Sequence, residues 1–321
     1  MSISVGQVQA LAVKGIEAKG GVRDAIFKNH AYLARLRAKE GIYSGEKMTF
    51  PFFYKDDVNS TGKFYNGAES LEGDFYDPMT ELSFDLIEIE ETLRITHRDL
   101  ARNSGKEGRI KLLEQRLKHM EMALQQRFTK GVFSDGTVST GALSASQFPG
   151  QVAFLKDSSV SYGGLTETDV SVHCAYVADN SGSSRALTTS LIQSAIGGAS
   201  EGNKKPSVGI CRQATMNDFL ELLKPTQRTT RESTLNGLGH EKNTLVYSGI
   251  DHIVDNLSIA NAITYLNEEH VKLYSHPEYN MKRSSWDKLE DVDAIQERLF
   301  WKGVYVADVL RYQGILKDLS N

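Results

Sequence analysis

The chain has 321 residues, of which 40% are hydrophobic and 24% charged, with a formal net charge of −4. That is enough apolar material for a sizeable core, which excludes wholesale disorder, and enough length for two ordinary domains or one large composite. The slightly acidic balance argues against a dedicated nucleic-acid binder with a basic face, though not against a protein that merely encloses nucleic acid. The two cysteines, Cys174 and Cys211, are unclustered and read as buried thiols in a reducing compartment, with no zinc spacing. No run of roughly 18 apolar residues offers a membrane span. Met1–Lys19 lacks the layout of a signal peptide, so synthesis in the cytoplasm is expected.

From Val5 to Ile16 apolar residues recur at helical spacing, Gly20-Gly21 interrupts them, and the pattern resumes through Ile26, Leu33 and Leu36. This basic arm reads as helices lying on something else. Lys47–Tyr54 is a strand candidate that runs into the turn-forming stretch Asp56–Gly62. Phe64-Tyr65 and Phe75-Tyr76 follow among glycines; this aromatic-bearing loop has too little aliphatic content to fold alone.

Thr80–Thr96 alternates through Leu82, Phe84 and Leu86, then slips phase to Ile87, Ile89, Leu93 and Ile95, which predicts a bulge or strong twist midway. Fourteen or more extended residues would reach about 45 Å, the length of an arm leaving the body and returning. Asn103 or Ser104 can cap the next element, a long helix whose apolar face is Ile110, Leu113, Leu117, Met120, Leu124 and Phe128, with Gly131 as its stop. Phe133–Gly164 is rich in Gly and Ser and reads as irregular. Beyond Thr166 helices are expected at Leu187–Ala199 and Ala214–Leu223. Strands are expected at Pro206–Cys211, Thr244–Val254, Ala262–Tyr274 and within Ala294–Leu316, and a polar loop at Thr226–Asn243.

Several local patterns invite chemical readings. Gly197-x4-Gly202-Asn203-Lys204 lacks the Lys directly after the second Gly that a phosphate-binding loop needs. His270 and His276 with Glu268, Glu269 and Glu278 fit no helical ligand spacing, and His173-Cys174 are strand neighbours that point to opposite faces. The cluster Glu88, Glu90 and Glu91 reads better as one side of inter-subunit ion pairs with Arg109, Arg116, Arg35 or Arg37 than as catalytic carboxylates. No cofactor, metal or catalytic set is expected.

The order of parts, and a set of local stretches, resemble the tailed-phage major capsid (major head) proteins and their α+β fold, named after the Hong Kong 97 phage. The stretches are Asn103-Ser104-Gly105, Phe133-Ser134-Asp135-Gly136, Tyr162-Gly163-Gly164-Leu165-Thr166, Tyr265-Leu266-Asn267, His276-Pro277, Trp301-Lys302-Gly303 and Arg311-Tyr312-Gln313-Gly314. The resemblance implies an N-terminal arm (1–40), an extended loop (41–80), a peripheral domain carrying a long spine helix (81–135 and 294–321) and an axial domain (136–293). It implies a non-enzymatic subunit that assembles with itself into pentamers and hexamers, built in the bacterial host cytoplasm and enclosing double-stranded DNA in the virion. Phe52, Phe64, Tyr65 and Phe75 would bury against a neighbouring subunit. A portal protein would stand at one vertex. The chain lacks a long charged helical extension, so a separate scaffolding protein is implied. The same fold also admits an encapsulin-like compartment shell; a cytoplasmic α/β enzyme is the alternative from another class. Lys47, Lys55 and Lys63 raise the question of covalent cross-linking, for which the sequence shows no partner.

Overall fold

The computed structural model describes residues 30–53, 66–67, 79–102, 106–134, 149–155, 161–166, 173–223, 229–230 and 245–320. In chain order the elements are helix α1 (Ala31–Ala38), strands β1 (Gly41–Ile42), β2 (Lys47–Phe53), β3 (Met79–Asp85) and β4 (Ile87–Thr96), helices α2 (His97–Arg102), α3 (Lys106–Val132) and α4 (Gln151–Phe154), strand β5 (Tyr176–Ala178), helix α5 (Thr189–Gly198), strand β6 (Val208–Cys211) and helix α6 (Gln213–Leu222). Nine strands follow: β7 (Thr229–Thr230), β8 (Leu245–Tyr247), β9 (Ile250–Val254), β10 (Ile263–Leu266), β11 (Val271–Ser275), β12 (Lys282–Arg283), β13 (Asp287–Lys288), β14 (Ala294–Ala307) and β15 (Gly314–Leu316).

Among the described residues these strands form three sheets. In the first, β14 pairs along one edge with β4 and along the other with β11, β12 and β13 in turn, and β1 adds to β11. The second runs β5-β15-β10-β6-β9-β8-β7. The third is the antiparallel pair β2–β3. Helix α3 lays Leu113, Leu117, Met120, Leu124 and Phe128 against the first sheet, all buried, in the steps the sequence predicts. Phe128 meets the buried Trp301 of β14 edge-on at 5.1 Å. Burying five such side chains contributes on the order of 10 kcal/mol before the entropy of ordering them is subtracted.

The predicted phase slip is the junction of β3 and β4. Leu82 and Phe84 are buried on even positions, Ile89, Leu93 and Ile95 on odd ones, and Leu86 stands between the strands with its N–H on Glu46. The two halves pair with different partners, β3 with β2 and β4 with β14, so the segment is not one continuous arm.

Three expectations require correction. The strand expected at Thr244–Val254 is, over the described residues 245–254, a hairpin of β8 and β9, because Ser248 and Gly249 both take positive φ, 54° and 77°, the two-residue turn that matches strand twist. Ala262–Tyr274 divides between the two large sheets. Asn267 ends β10 with an Asx turn, its Oδ1 accepting from Glu269 N–H at 3.0 Å. Sheet membership also cuts across the boundary expected between residues 293 and 294. β11, β12 and β13 pair with β14, while β15 crosses to the other sheet. The caps Asn103 and Ser104 lie outside the described residues, as does the loop 226–243 apart from β7, and among the described residues no helix is long and apolar enough to cross a membrane.

The last part of the basic arm lies on its own chain. Helix α1 buries Tyr32, Leu33, Ala34 and Leu36, and the Tyr32 and Tyr305 hydroxyls share a buried hydrogen bond of 2.6 Å. Arg35 grips Glu268 with two bonds, Nε at 2.5 Å and Nη2 at 2.8 Å, and donates from Nη1 to Asp251 at 3.0 Å. Ser207 donates to the same Glu268 carboxylate at 3.1 Å. Burial pushes that carboxyl up; the Arg35 guanidinium, helped by Lys39 and Ser207, outweighs it and holds the group below its usual range. One helix thus bridges β14 of the first sheet and β9 of the second.

In the second sheet His252, Gly209 and Tyr265 sit side by side on β9, β6 and β10. A Cβ on Gly209 would come within 2.6 Å of the His252 ring. The bare backbone there lets His252 and Tyr265 close to 5.7 Å, with Phe219 of α6 edge-on to the imidazole at 4.9 Å. His252 is fully buried; its Nδ1 donates to Ile250 O at 3.1 Å.

Two predictions follow from these buried polar groups. Removing one partner of a hydrogen-bonded buried ion pair costs about 3–5 kcal/mol, so Arg35→Ala should lower urea stability by that order. Arg35→Ala combined with Glu268→Ala should cost much less than the sum of the single variants; additivity in the four-member cycle would refute the coupling. Burial pushes the His252 imidazole down to about 4, whereas an unfolded imidazole titrates near 6.5. Between those values the unfolded chain binds a proton that the folded chain refuses. The contribution is therefore complete above about pH 6.5 and is lost as the pH falls toward 4, a difference of about 3 kcal/mol. His252→Phe should flatten the loss of urea midpoint between pH 7 and 4.5; an unchanged pH dependence would contradict the assignment.

Candidate assembly interface

The hairpin β2–β3 is held at its base by a clasp. Tyr162 and Leu165 form a bridge around Gly163 and Gly164, which take φ of 62° and 90°, a conformation open to glycine. Gly163 O accepts from Ser83 N–H at 2.9 Å, and a Cβ there would meet Phe84 at 2.8 Å and Leu82 at 2.9 Å. The Tyr162 ring lies 5.0 Å from Phe84 and 5.8 Å from Phe154. Its hydroxyl accepts from Ala307 N–H at the end of β14, at 2.9 Å. Burial raises this phenol well above its usual range, so it stays neutral at any physiological pH.

His173 completes the clasp. Its Nε2 donates to Tyr162 O at 3.0 Å, and its ring lies 5.3 Å from Phe52 and 6.1 Å from Tyr162. Burial lowers its affinity for a second proton. Beyond this base, residues 54–78 connect Phe53 to Met79, whose apolar side chain is half exposed at the root of the loop.

The acidic strand finds its partners at home. Glu88 stands directly across from Lys302, whose Nζ donates at 2.8 Å. Glu90 is 3.6 Å from Arg298 and accepts from the Thr92 hydroxyl at 2.8 Å. Glu91 reaches Arg127 of α3 at 3.2 Å. The expected partners were a neighbour's Arg109, Arg116, Arg35 or Arg37; within the chain the antiparallel register of β4 and β14 already supplies cations to this cluster, and Arg35 is committed to Glu268 and Asp251.

Phe52 is likewise corrected; it is buried in its own chain beside His173. Phe64, Tyr65 and Phe75 lie outside the described residues, as do Lys55 and Lys63. Arg109 falls within α3, its side chain outside the described residues, and Arg116 is exposed on the same helix. The residues considered for metal binding are dispersed. Glu268 serves Arg35, Glu269 pairs with Lys204, His270 bonds Asp308 at 2.9 Å, and His276 accepts from Glu278 N–H at 3.2 Å. The clasp of Tyr162, Gly163 and His173 was not singled out as a site from sequence; the consecutive glycines after a tyrosine were its one visible sign.

No protein-family model matches the chain, and no curated protein aligns with it. Solved structures do. The capsid asymmetric unit of cyanophage A-1(L) superposes with a TM-score of 0.68 at 14% identity, over 90% of this chain and 93% of that one. The capsid of a native GTA particle gives 0.58 at 12% identity, over 89% and 90%. The holo-SrpI encapsulin complex of Synechococcus elongatus gives 0.54 at 10% identity, over 89% and 88%. With its clasped hairpin, long helix and two large sheets, this chain has the fold of the tailed-phage major capsid proteins, the Hong Kong 97 phage fold.

Proposed function

We propose that the chain is the structural, non-catalytic subunit of an icosahedral phage shell, which assembles into pentamers and hexamers around a double-stranded DNA genome. The carrying observation is the likeness of fold over nine-tenths of the chain to a cyanophage capsid. Self-assembly accounts for a loop whose aromatic residues Phe64, Tyr65 and Phe75 cannot make a core by themselves. In this reading the part of the expected 41–80 loop that lies beyond Phe53 reaches across a neighbouring subunit, α3 with the first sheet forms the peripheral part, and the second sheet forms the axial part near the symmetry axes. A separate scaffolding protein directs assembly in the host cytoplasm, and a portal protein occupies one vertex. The likeness to an encapsulin supports a second reading, a compartment shell around protein cargo; particles that co-purify with protein and no DNA would favour it.

Negative-stain electron microscopy of the purified chain at high concentration, alone and co-expressed with the genes adjacent to its own, should show shells, tubes or rings of five and six. Small uniform particles under both conditions would overturn the reading. Deleting Asn59–Glu72 should leave a folded chain by circular dichroism that no longer assembles. Normal shells from that variant would refute the role of the loop.

A further inference from the structure

Helix α3 meets the first sheet through apolar side chains, yet one flank of the contact is ionic. Along β14 the alternate residues Ile295, Glu297, Leu299 and Trp301 are buried. Trp301 meets Phe128 of α3, so Glu297 shares the row that turns toward the helix. Its Oε1 accepts from Arg283 Nε at 2.7 Å. Arg283 lies on β12, opposite Leu299 of the same row. On α3, Glu121 stands about 60° round from the middle of the buried stripe and is partly buried. Burial raises its carboxyl against the pull of Arg283 and Lys118. Burial likewise raises Glu297 in spite of Arg283. One guanidinium thus pulls on two carboxylates from two elements.

These charges do not close on one another. Glu121 Oε1, Glu297 Oε2 and Arg283 Nη2 are each buried without a hydrogen-bond partner among the described residues. Lys118 is exposed, about 60° further round the helix, so water screens its pull. The other charges near this layer are engaged elsewhere or stand in solvent. Glu91, on the same face of β4, holds Arg127 on the opposite flank of α3. Lys282 lies over the Tyr279 ring, and Asp287 and Lys288 of β13 are exposed. Glu114, two turns before Glu121 on the same flank, is partly buried and adds negative charge. A small shift lets Arg283 Nη2 satisfy one of the two carboxylate oxygens; the other still lacks a donor. An ionised carboxylate in that position costs more than the neutral acid. A proton on either carboxyl supplies the missing donor and removes the surplus charge.

We propose that Glu121, Arg283 and Glu297 form a proton-sensitive fastening between α3 and the first sheet: a proton on one of the two carboxyls tightens the contact in mild acid, and its loss toward neutral pH loosens it. The sign follows from linkage. An unfolded glutamate titrates at about 4.3. A carboxyl that burial holds above that value keeps a proton which the unfolded chain has already released. Its share of stability is complete below about pH 4.3 and is lost as the pH rises through the folded value. His252 acts with the opposite sign, so the two sites bound a range of pH in which the subunit is firmest. The fastening is a property of the single subunit and is independent of the shell reading.

Urea unfolding of the soluble full-length chain between about pH 5 and 8 tests this. Glu121→Gln keeps the shape of the neutral acid and cannot titrate. Its midpoint should rise relative to wild type as the pH increases, because only wild type loses the bound proton. Glu297→Gln should show the same trend, and it serves as the readout if the first variant folds poorly. Comparison with wild type at each pH removes the contribution of His252, which all three chains share. Hydrogen exchange, corrected for the intrinsic pH dependence of amides, locates the effect. Protection of the amides of residues 113–128 should fall in wild type toward the upper end of that range and hold steady in Glu121→Gln. A midpoint difference that stays constant or narrows with rising pH in both variants would overturn the proposal. So would a loss of protection spread evenly over both large sheets.

Discussion

Strand β14 is the element on which the rest of the architecture depends. Over fourteen residues it is paired along one edge by β4 and along the other by β11, β12 and β13 in succession. An interior strand with its backbone groups satisfied on both edges has few ways to shift register. The helix α3 packs on this sheet through Trp301 and Phe128, the clasp residue Tyr162 is bonded to its last residue, and α1 reaches it through Tyr305. Loss of its register would remove the supports of all three.

Polar groups in this interior connect parts that apolar packing alone would let slide. A hydrophobic contact between α1 and the sheets is tolerant of small rotations. The fork of Arg35 on Glu268 is not, because two parallel bonds fix both distance and plane. The same holds for Tyr162, whose hydroxyl ties the hairpin base to β14 while its neighbouring glycines let the backbone turn. Each of these groups is buried with partners present, so the desolvation cost is offset; an unpaired group in its place would be strongly destabilising.

The arrangement suits the proposed role as a repeated shell unit. Rigidity is concentrated where β14, α3 and the clasp meet, and charged side chains on β4 are satisfied by Lys302, Arg298 and Arg127 within the subunit. A subunit whose ion pairs close internally can adopt several quasi-equivalent neighbourhoods without leaving a buried charge unpaired. In the proposed reading, specific contact with neighbours falls to the aromatic loop.

The local elements were legible wherever periodicity was strong. The stripe of α3 from Leu113 to Phe128, the strand at Lys47–Phe53 and the phase slip at Leu86 are written in spacing, because burial on one face imposes a period of 3.6 or 2 along the chain. The ordered set of local stretches also led to the fold, which the capsid structures bear out. Partnership was not legible. Glu88 meets Lys302 across 214 positions, Arg35 meets Glu268 across 233, and Tyr32 meets Tyr305 across 273; nothing near either member of a pair announces the other. The division of Ala262–Tyr274 between two sheets was hidden for the same reason, since both halves are buried and an apolar run carries no mark of which sheet receives it. Sequence alone determined which residues must be buried and with what period. Only the tertiary structure decided which strands share an edge, and with that which charges are satisfied at home and which faces remain open to solvent.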